Sequence, residues 1–219
     1  MLRTNFENNR MKRVGLTQRV DIIAEYGERR DAVDQHWYSL LLSMEMLPIL
    51  LPNLQPDNAA KMIESLRLDG IVFTGGNSLC HLDGDAVDRA PERDLFELFL
   101  IDYAVKNELP IFGVCRGMQI INYYFGGKLH PVEGHVAIQH PILPVEDIIE
   151  LPKIVNSFHS WAISQDELGR ELQPIATDIE GNIEAYWHPN KKVAGIMWHP
   201  ERVIGFDPLD LNLMKKILL

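Results

Sequence analysis

A cysteine between two glycines is the feature of this sequence with the clearest chemical potential. Residues 113–117 read GVCRG, and the two glycines let the backbone turn sharply from a strand into a helix. Such a turn presents the thiol of Cys115 above the edge of a sheet, near the positive end of the helix, which favours the reactive thiolate. The alternative interpretation is a buried small residue that fills a tight turn.

A histidine and a glutamate near the end of the chain supply the base and the orienting group that a thiol nucleophile needs. His199 and Glu201 lie in the segment IMWHPE, and Pro200 between them keeps the chain out of a helix. In an extended segment, residues two apart project to the same side, so the carboxylate can fix the imidazole tautomer. Taken alone, the pair would be interpreted as a surface histidine and a solvated glutamate, but the cysteine upstream favours catalysis.

Acyl transfer also requires hydrogen-bond donors for the oxyanion of the tetrahedral intermediate. The backbone amide of Arg116, directly after the cysteine, is one natural donor. The second is a glycine amide in FTGG, which we assign to Gly76. Spacing alone explains Gly75 and Gly76 equally well as loop punctuation, but their position after a neighbouring strand favours an oxyanion hole.

Alternating strand and helix patterns must position these residues. Short apolar runs predict strands at KRVGLTQ, PILLP, DGIVFTGG and LPIFGV, and helical spacing predicts helices over 31–46, 58–68 and 92–106. This order predicts an α/β fold with a mainly parallel sheet covered by helices on both faces. Ligands of such sheets bind at the carboxyl ends of the strands, where FTGG and GVC fall.

We predict one domain over residues 12–219, preceded by a polar extension over residues 1–11. Between about residues 130 and 152 the periodicity fades, which predicts a loop-rich excursion at the rim of the sheet. The sequence does not decide whether translation starts at Met1 or at Met11.

Composition excludes several classes of function. The chain has 219 residues, 46% of them hydrophobic, with a net charge of −10 and a pI near 5.2. An acidic chain without clustered lysine and arginine is unsuited to general nucleic-acid binding. No run approaches the roughly twenty apolar residues that span a bilayer. Two cysteines and no apparent signal peptide predict a cytoplasmic protein that acts on a small molecule.

Two further groups of residues are predicted to have no chemical role. Cys80 follows a polar loop and is interpreted as a bystander thiol. His130, His135 and His140 recur every five residues, a spacing that aligns neither on one helix face nor on one side of a strand. Because nothing matches a zinc-binding pattern, we predict neither a metal site nor a cofactor.

A family resemblance extends these inferences. The segments GVCRGMQIINYYFGGKL, NSFHSW and IMWHPE resemble the class I glutamine amidotransferase superfamily, and within it the γ-glutamyl-γ-aminobutyrate hydrolase-like peptidases, the peptidase C26 branch. The segments YGERRDAVDQHWY, ERDLFE and HPNKKVAGIMWHPE are also similar to that branch, so that the resemblance runs from about Lys12 to Arg202. It implies a flavodoxin-like, three-layer α/β fold with Cys115, His199 and Glu201 as a catalytic triad.

The resemblance also implies a reaction. Cys115 would attack the amide carbon of a γ-glutamyl group, His199 would protonate the leaving amine, and water would release glutamate from the thioester. Gln119 corresponds to a residue that contacts the glutamyl group, and the residues His159, Ser160 and Trp161 correspond to the lining of that pocket. Members of this branch often carry a second histidine and a glutamine at the last two positions, so the identity of the amine stays open.

Three functions are compatible with the sequence. The first is a hydrolase of a γ-glutamyl amide, and the second is a glutaminase subunit that supplies ammonia to a partner synthase. The third is a non-catalytic binding protein of the same fold, which the intact cysteine, histidine and glutamate argue against. A homodimer is compatible with each of them.

Overall fold

Short, fully buried apolar strands form the centre of the protein. The structure is a computed structural model that describes residues 10–82, 86–145 and 149–219. Most of the predicted N-terminal extension, residues 1–9, lies outside the described residues.

Strands and helices alternate over the first half of the chain, and short strands dominate the second half. The strands are β1 (Lys12–Thr17), β2 (Arg19–Ile23), β3 (Glu28–Ala32), β4 (Met46–Leu51), β5 (Gly70–Phe73), β6 (Ile111–Val114), β7 (His130–Pro131), β8 (Val136–Pro141), β9 (Leu143–Pro144), β10 (Ile154–Phe158), β11 (Trp161–Ala162), β12 (Gln173–Thr177), β13 (Ile183–Trp187) and β14 (Val193–Ile196). The helices are α1 (His36–Ser43), α2 (Pro56–Leu66), α3 (Pro91–Lys106), α4 (Arg116–Tyr124) and α5 (Pro208–Leu218).

Eight strands form the central sheet in the order β4-β1-β5-β6-β14-β13-β12-β9. The five strands from β4 to β14 are parallel, and β13, β12 and β9 extend the sheet in antiparallel fashion. Numbered along the chain, the parallel strands follow the order 2-1-3-4-5, which is the flavodoxin-like arrangement. The predicted fold class is confirmed.

Helices cover both faces of this sheet. On one face, α1 and α5 contribute Trp37, Leu213 and Met214 to a buried apolar cluster. On the other face, α2, α3 and α4 pack a second cluster that includes Phe96 and Met118. The result is a three-layer sandwich. In the described part of the chain, no helix is long and apolar enough to cross a membrane.

One local prediction was wrong, and a second was incomplete. The helix predicted over residues 31–46 is shorter, because residues 28–32 pair with β2 in a hairpin and the Asp34 carboxylate accepts the amide of His36 at 2.9 Å. The excursion predicted over residues 130–152 also contains the short strands β7, β8 and β9, and its residues 146–148 lie outside the described residues. Five of the six residues of β8 are exposed, which removes the apolar alternation that would have revealed a strand.

Close packing of α4 on β5 yields a stability prediction. A Cβ atom added at Gly117 would lie 1.9 Å from the carbonyl oxygen of Phe73, so we expect Gly117→Ala to destabilise the fold by several kcal/mol, roughly the upper range for point mutations. Gly126→Ala is the matched control, because a Cβ there meets nothing within 4 Å and only its φ of +82° is strained, at a cost of about 1–2 kcal/mol. Urea unfolding of both variants tests this, and equal losses would contradict it.

Candidate active site

The thiol of Cys115 sits on a strained turn between β6 and α4. Its backbone has φ 52° and ψ −110°, a conformation that a residue with a side chain rarely adopts. The neighbouring backbone holds it there, since its amide donates to the carbonyl of Ile196 at 2.8 Å. A Cβ atom at Gly113 would lie 2.6 Å from the backbone of Gly117, which explains why glycine is required on both sides of the cysteine.

His199 and Glu201 form a buried hydrogen-bonded pair. The Nδ1 atom of His199 lies 2.7 Å from Oε1 of Glu201, and each side chain is only 2% exposed. The predicted contact is present, but its geometry differs from the extended segment that we expected. Pro200 begins one turn of 3-10 helix, Pro200–Arg202, and this turn brings the carboxylate back to the ring. Because a carboxylate only accepts, Nδ1 carries the proton and the Nε2 atom is left for another partner.

The side chains of Cys115 and His199 both lie close to Gly75. A Cβ atom added to Gly75 would lie 2.7 Å from Cε1 of His199 and 3.6 Å from Cβ of Cys115. Both side chains therefore contact the same glycine, and any larger residue there would collide with the ring. The sequence singled out Gly76 as a functional position, whereas this close approach belongs to Gly75.

The two groups shift each other's proton affinity. Burial is the largest single effect and by itself would raise the pKa of the Cys115 thiol, but the charge and hydrogen bond of His199, the charge of His159 and the amide of Arg116 together lower it overall. Burial would lower the pKa of His199, but Cys115 and Glu201 raise it to about 9. Above the lowered pKa of the thiol and below about pH 9, the stable form is a thiolate beside an imidazolium.

Asn156 holds the backbone of His199 in place. Its side-chain amide donates to the carbonyl of His199 at 2.8 Å, and its side-chain oxygen accepts the His199 amide at 2.8 Å. The sequence motifs did not reveal this role, although Asn156 begins the NSFHSW segment that carries part of the resemblance. No local spacing links it to the histidine.

The loop after β5 is oriented by Arg93 of α3. Its guanidinium donates to the carbonyls of Gly75 and Gly76 at 3.1 and 2.5 Å and to that of Thr74 at 2.7 Å. The C=O and N–H of a trans peptide point in opposite directions, so the amide of Gly76 points away from Arg93. The amide of Arg116 lies beside the Cys115 sulfur, which its hydrogen bond helps to keep ionised by lowering the thiol pKa. Their assignment as an oxyanion hole stays a prediction.

A buried ion network joins that loop to the cysteine turn. The carboxylate of Glu97 accepts from Nε of Arg93 at 2.9 Å and from Nη1 of Arg116. The other terminal nitrogen of Arg116 donates to Asp94. Arg93, Glu97 and Arg116 are buried, and two cations are balanced by two carboxylates. The ERDLFE segment of the sequence therefore positions both candidate oxyanion donors.

Three of the four predicted substrate-binding residues gather at one carbonyl. The carbonyl oxygen of Trp161 accepts from Nε2 of Gln119 at 3.3 Å and from Nδ1 of His159 at 3.0 Å. Ser160 between them is exposed. Gln119 and His159 are buried. Burial would lower the pKa of His159, but Glu184 and, to a smaller extent, the charge of Cys115 raise it.

A pocket of about 300 Å³ opens beside His199 and Gly75. Its outer wall is formed by β2 and the residues that follow β3, which contribute Arg19, Asp21 and Asp34. No sequence motif marked these charged residues, because single charges on a short hairpin form no recognisable pattern.

Cys80 and the spaced histidines have different environments. The pKa of Cys80 is raised to about 11 by burial and by Asp94, so its thiol is not activated. His130 lies beside the Glu167 carboxylate. The spacing of His135 and His140 predicted that they would not share one face, but both lie with His159 and Glu184 in a buried cluster.

Comparisons with known proteins agree with this architecture. The sequence model of the family Peptidase C26 matches residues 14–147 and 143–201. The gamma-glutamyl-CDP-amidate hydrolase of Campylobacter jejuni is 28% identical over 201 residues, which cover 90% of this chain and 94% of that protein. The gamma-glutamyl-gamma-aminobutyrate hydrolase of Escherichia coli O157:H7 is 29% identical over 206 residues, 80% of each chain.

A solved structure gives the same result for the fold. The crystal structure of a glutamine amidotransferase from Thermotoga maritima superposes with a TM-score of 0.65 at 18% identity, covering 88% of this chain and 77% of that one. The fold and the cysteine turn define a class I glutamine amidotransferase-like protein. Within that class, the chain belongs to the Peptidase C26 family.

The buried ion network predicts a large difference between two ion pairs of α3. Glu97→Ala leaves two buried guanidinium groups without their shared carboxylate, and we expect a loss of about 3–5 kcal/mol in the free energy of unfolding. Lys106→Ala is the control, because its i,i+4 pair with Asp102 is exposed and contributes only about 0.3–0.5 kcal/mol. Denaturant unfolding gives both values, and a loss below about 1 kcal/mol for Glu97→Ala would show that the network is not stabilising.

The shifted pKa values predict selective alkylation of one of the two cysteines. At about pH 6.5, roughly two units below the usual thiol pKa, iodoacetamide should modify Cys115 and leave Cys80 unmodified. His199→Ala removes the neighbouring charge and should shift the reaction of Cys115 to higher pH. Mass spectrometry of the alkylated peptides measures both, and an unchanged pH profile in His199→Ala would contradict the ion pair.

Proposed function

We propose that the protein is a cysteine-dependent hydrolase that releases glutamate from a γ-glutamyl amide. The observation that carries this proposal is the thiol of Cys115 on a strained turn, next to an imidazole whose Nδ1 is held by Glu201 at 2.7 Å. Membership of the Peptidase C26 family and two relatives named as γ-glutamyl hydrolases support the substrate class.

The chemistry proceeds in two acyl-transfer steps. The thiolate of Cys115 attacks the γ-carbonyl carbon of the substrate and forms a tetrahedral intermediate. As the C–N bond breaks, the imidazolium of His199 gives its Nε2 proton to the leaving amine, and a γ-glutamyl thioester remains. Water then attacks the thioester carbon, His199 accepts its proton, and the thiolate departs to leave free glutamate.

Backbone amides stabilise the oxyanion in both steps. The amide of Arg116 is beside the sulfur, and the amide of Gly76 points away from Arg93. The ion network around Glu97 holds both peptides before the substrate arrives, so little reorganisation is needed in the transition state. Loss of one such donor typically costs about 10²–10³ in rate.

The two ends of the substrate bind on different sides of the thiol. We assign the glutamyl group to the side of Gln119, His159 and Trp161. The leaving amine lies in the pocket lined by Arg19, Asp21 and Asp34. The exposed, charged lining of this pocket suits a polar amine, and its volume of about 300 Å³ exceeds what ammonia needs.

The second candidate function is a glutaminase that supplies ammonia to a partner synthase. Both functions share the thioester chemistry and differ in the leaving group and in the need for a partner. Fast turnover by the isolated protein favours the hydrolase. Slow turnover of every amide, restored by a synthase, favours the glutaminase.

Glutamate release by the purified protein tests the proposal. The substrates are glutamine, γ-glutamyl-γ-aminobutyrate and a γ-glutamyl phosphoramidate of a cytidine nucleotide, since the last two resemble the substrates named for the relatives. We expect one amide to be cleaved much faster than glutamine. We expect Cys115→Ala to lose at least about a thousandfold in rate, because nothing replaces the nucleophile.

The chain offers a matched control for that substitution. Cys80→Ala removes the other thiol, whose raised pKa keeps it protonated, and it should retain wild-type activity. Circular dichroism of both variants establishes that they are folded. Wild-type turnover by a folded Cys115→Ala protein would exclude Cys115 as the nucleophile.

A further inference from the structure

A buried cluster of three histidines and one glutamate lies outside the thiol, imidazole and carboxylate described above. His135 directly precedes β8, His140 lies near its end, His159 directly follows β10, and Glu184 lies on β13 of the central sheet. One ligand atom from each residue lies within 4.8 Å of the others. The Nε2 atoms of His159 and His140 are 3.6 and 3.7 Å from the two carboxylate oxygens of Glu184.

Each residue of this cluster has at least one buried polar atom without a hydrogen bond in the described part of the chain. Within residues 10–82, 86–145 and 149–219, no hydrogen-bond partner is found for Nδ1 of His135, Nε2 of His140 or His159, or either oxygen of Glu184. Glu184 is completely buried. A buried carboxylate without a partner is costly, and native proteins normally satisfy such groups.

The hydrogen bonds on the far side of two rings define which atoms point into the cluster. Nδ1 of His159 donates to the carbonyl of Trp161 at 3.0 Å, and Nδ1 of His140 donates to the carbonyl of Pro141 at 3.1 Å. A carbonyl oxygen can only accept, so Nδ1 carries the proton in both rings. In the neutral rings, two Nε2 lone pairs therefore face a carboxylate, and either a cation between them or a proton on one of the rings would relieve the repulsion.

The distances suit a metal ion. Zinc binds histidine nitrogen and carboxylate oxygen at about 2.0–2.2 Å, which places two ligands of a tetrahedral site about 3.3–3.5 Å apart. The separations of 3.6 and 3.7 Å are too long for hydrogen bonds and need only a small contraction to meet that geometry, whereas the whole set of ligand atoms, which lie within 4.8 Å of one another, must draw closer around the ion. Metal-binding histidines commonly donate their other ring N–H to a backbone carbonyl, as His140 and His159 do.

We propose that His135, His140, His159 and Glu184 bind one divalent transition-metal ion of the Zn²⁺ type. Imidazole with a single carboxylate favours zinc and its first-row neighbours over magnesium and calcium. Four protein ligands close the coordination shell, as in structural sites. The ion fastens the strand pair β8 and β10 to β13 and fixes the ring of His159, whose Nδ1 shares the Trp161 carbonyl with Gln119.

Metal content and thermal unfolding test this site in the full-length protein. Chelator-treated protein is incubated with ZnCl₂ and dialysed, and its zinc content is measured by mass spectrometry. The Cys115→Ser variant serves as the parent, so that the nucleophilic thiol cannot bind the ion. We expect about one zinc per chain, in keeping with one four-ligand site, and a melting temperature that rises on zinc addition.

Substitutions in this parent locate the ion. His140→Ala and Glu184→Gln should each weaken zinc binding by at least about tenfold, the lower limit for loss of even an outer partner. His130→Ala is the matched control, because this histidine lies in the same segment but pairs with Glu167, and it should bind zinc as the parent does. Unchanged binding in both His140→Ala and Glu184→Gln would overturn the proposal.

A cobalt spectrum provides evidence that does not depend on the folding of the variants. Co²⁺ added to the metal-free parent should give the visible absorption bands of a four-coordinate site with nitrogen and oxygen ligands. If the parent binds neither Zn²⁺ nor Co²⁺, the cluster is instead held by a proton shared between histidine and Glu184, and the proposal is wrong. Neither result depends on glutamate release.

Discussion

The geometry of the candidate active site depends on the carboxylate of Glu97, which accepts hydrogen bonds from two arginines with different roles. Arg93 fixes three carbonyls of the loop after β5, and Arg116 anchors the first turn of the helix after Cys115. A buried ion pair is a poor source of net stability, since desolvation offsets most of the attraction. Apolar side chains of the same volume, however, could not hydrogen-bond three carbonyls at once. The network therefore specifies the relative position of two loops that share no sequence pattern.

Much of this arrangement was predictable from the sequence, because local patterns carry it. The buried strands, the glycines around Cys115 and the helix that follows were all predicted from apolar runs and turn residues. The meeting of Cys115 with His199 follows from topology, since β6 and β14 are paired with Val114 opposite Ile196. Both residues then leave the sheet at the same edge. The turn at Pro200 was not predicted: a 3-10 turn, rather than an extended strand, joins His199 to Glu201.

The histidine cluster was not predictable, and the reason is a change of side within one strand. A spacing of five puts two residues on opposite faces of a regular strand. In β8, however, Phe158 pairs with Val136 and Ser157 pairs with Ile138, so Ala137 is an extra residue. Its φ of 58° marks the bulge, which returns His140 to the face of His135. An alanine in a sequence gives no indication that its backbone will be left-handed, so this bulge could not be predicted.

The side chain of Asn156 holds the backbone of His199 from outside the strand that precedes the histidine. The histidine follows β14 of the central sheet, yet its backbone is held by a side chain of β10, a strand that pairs only with β8 among the described strands. The backbone of His199 is therefore held from two sheets, the central one through β14 and the two-stranded one through β10, so that a shift of either sheet would move the imidazole relative to the thiol.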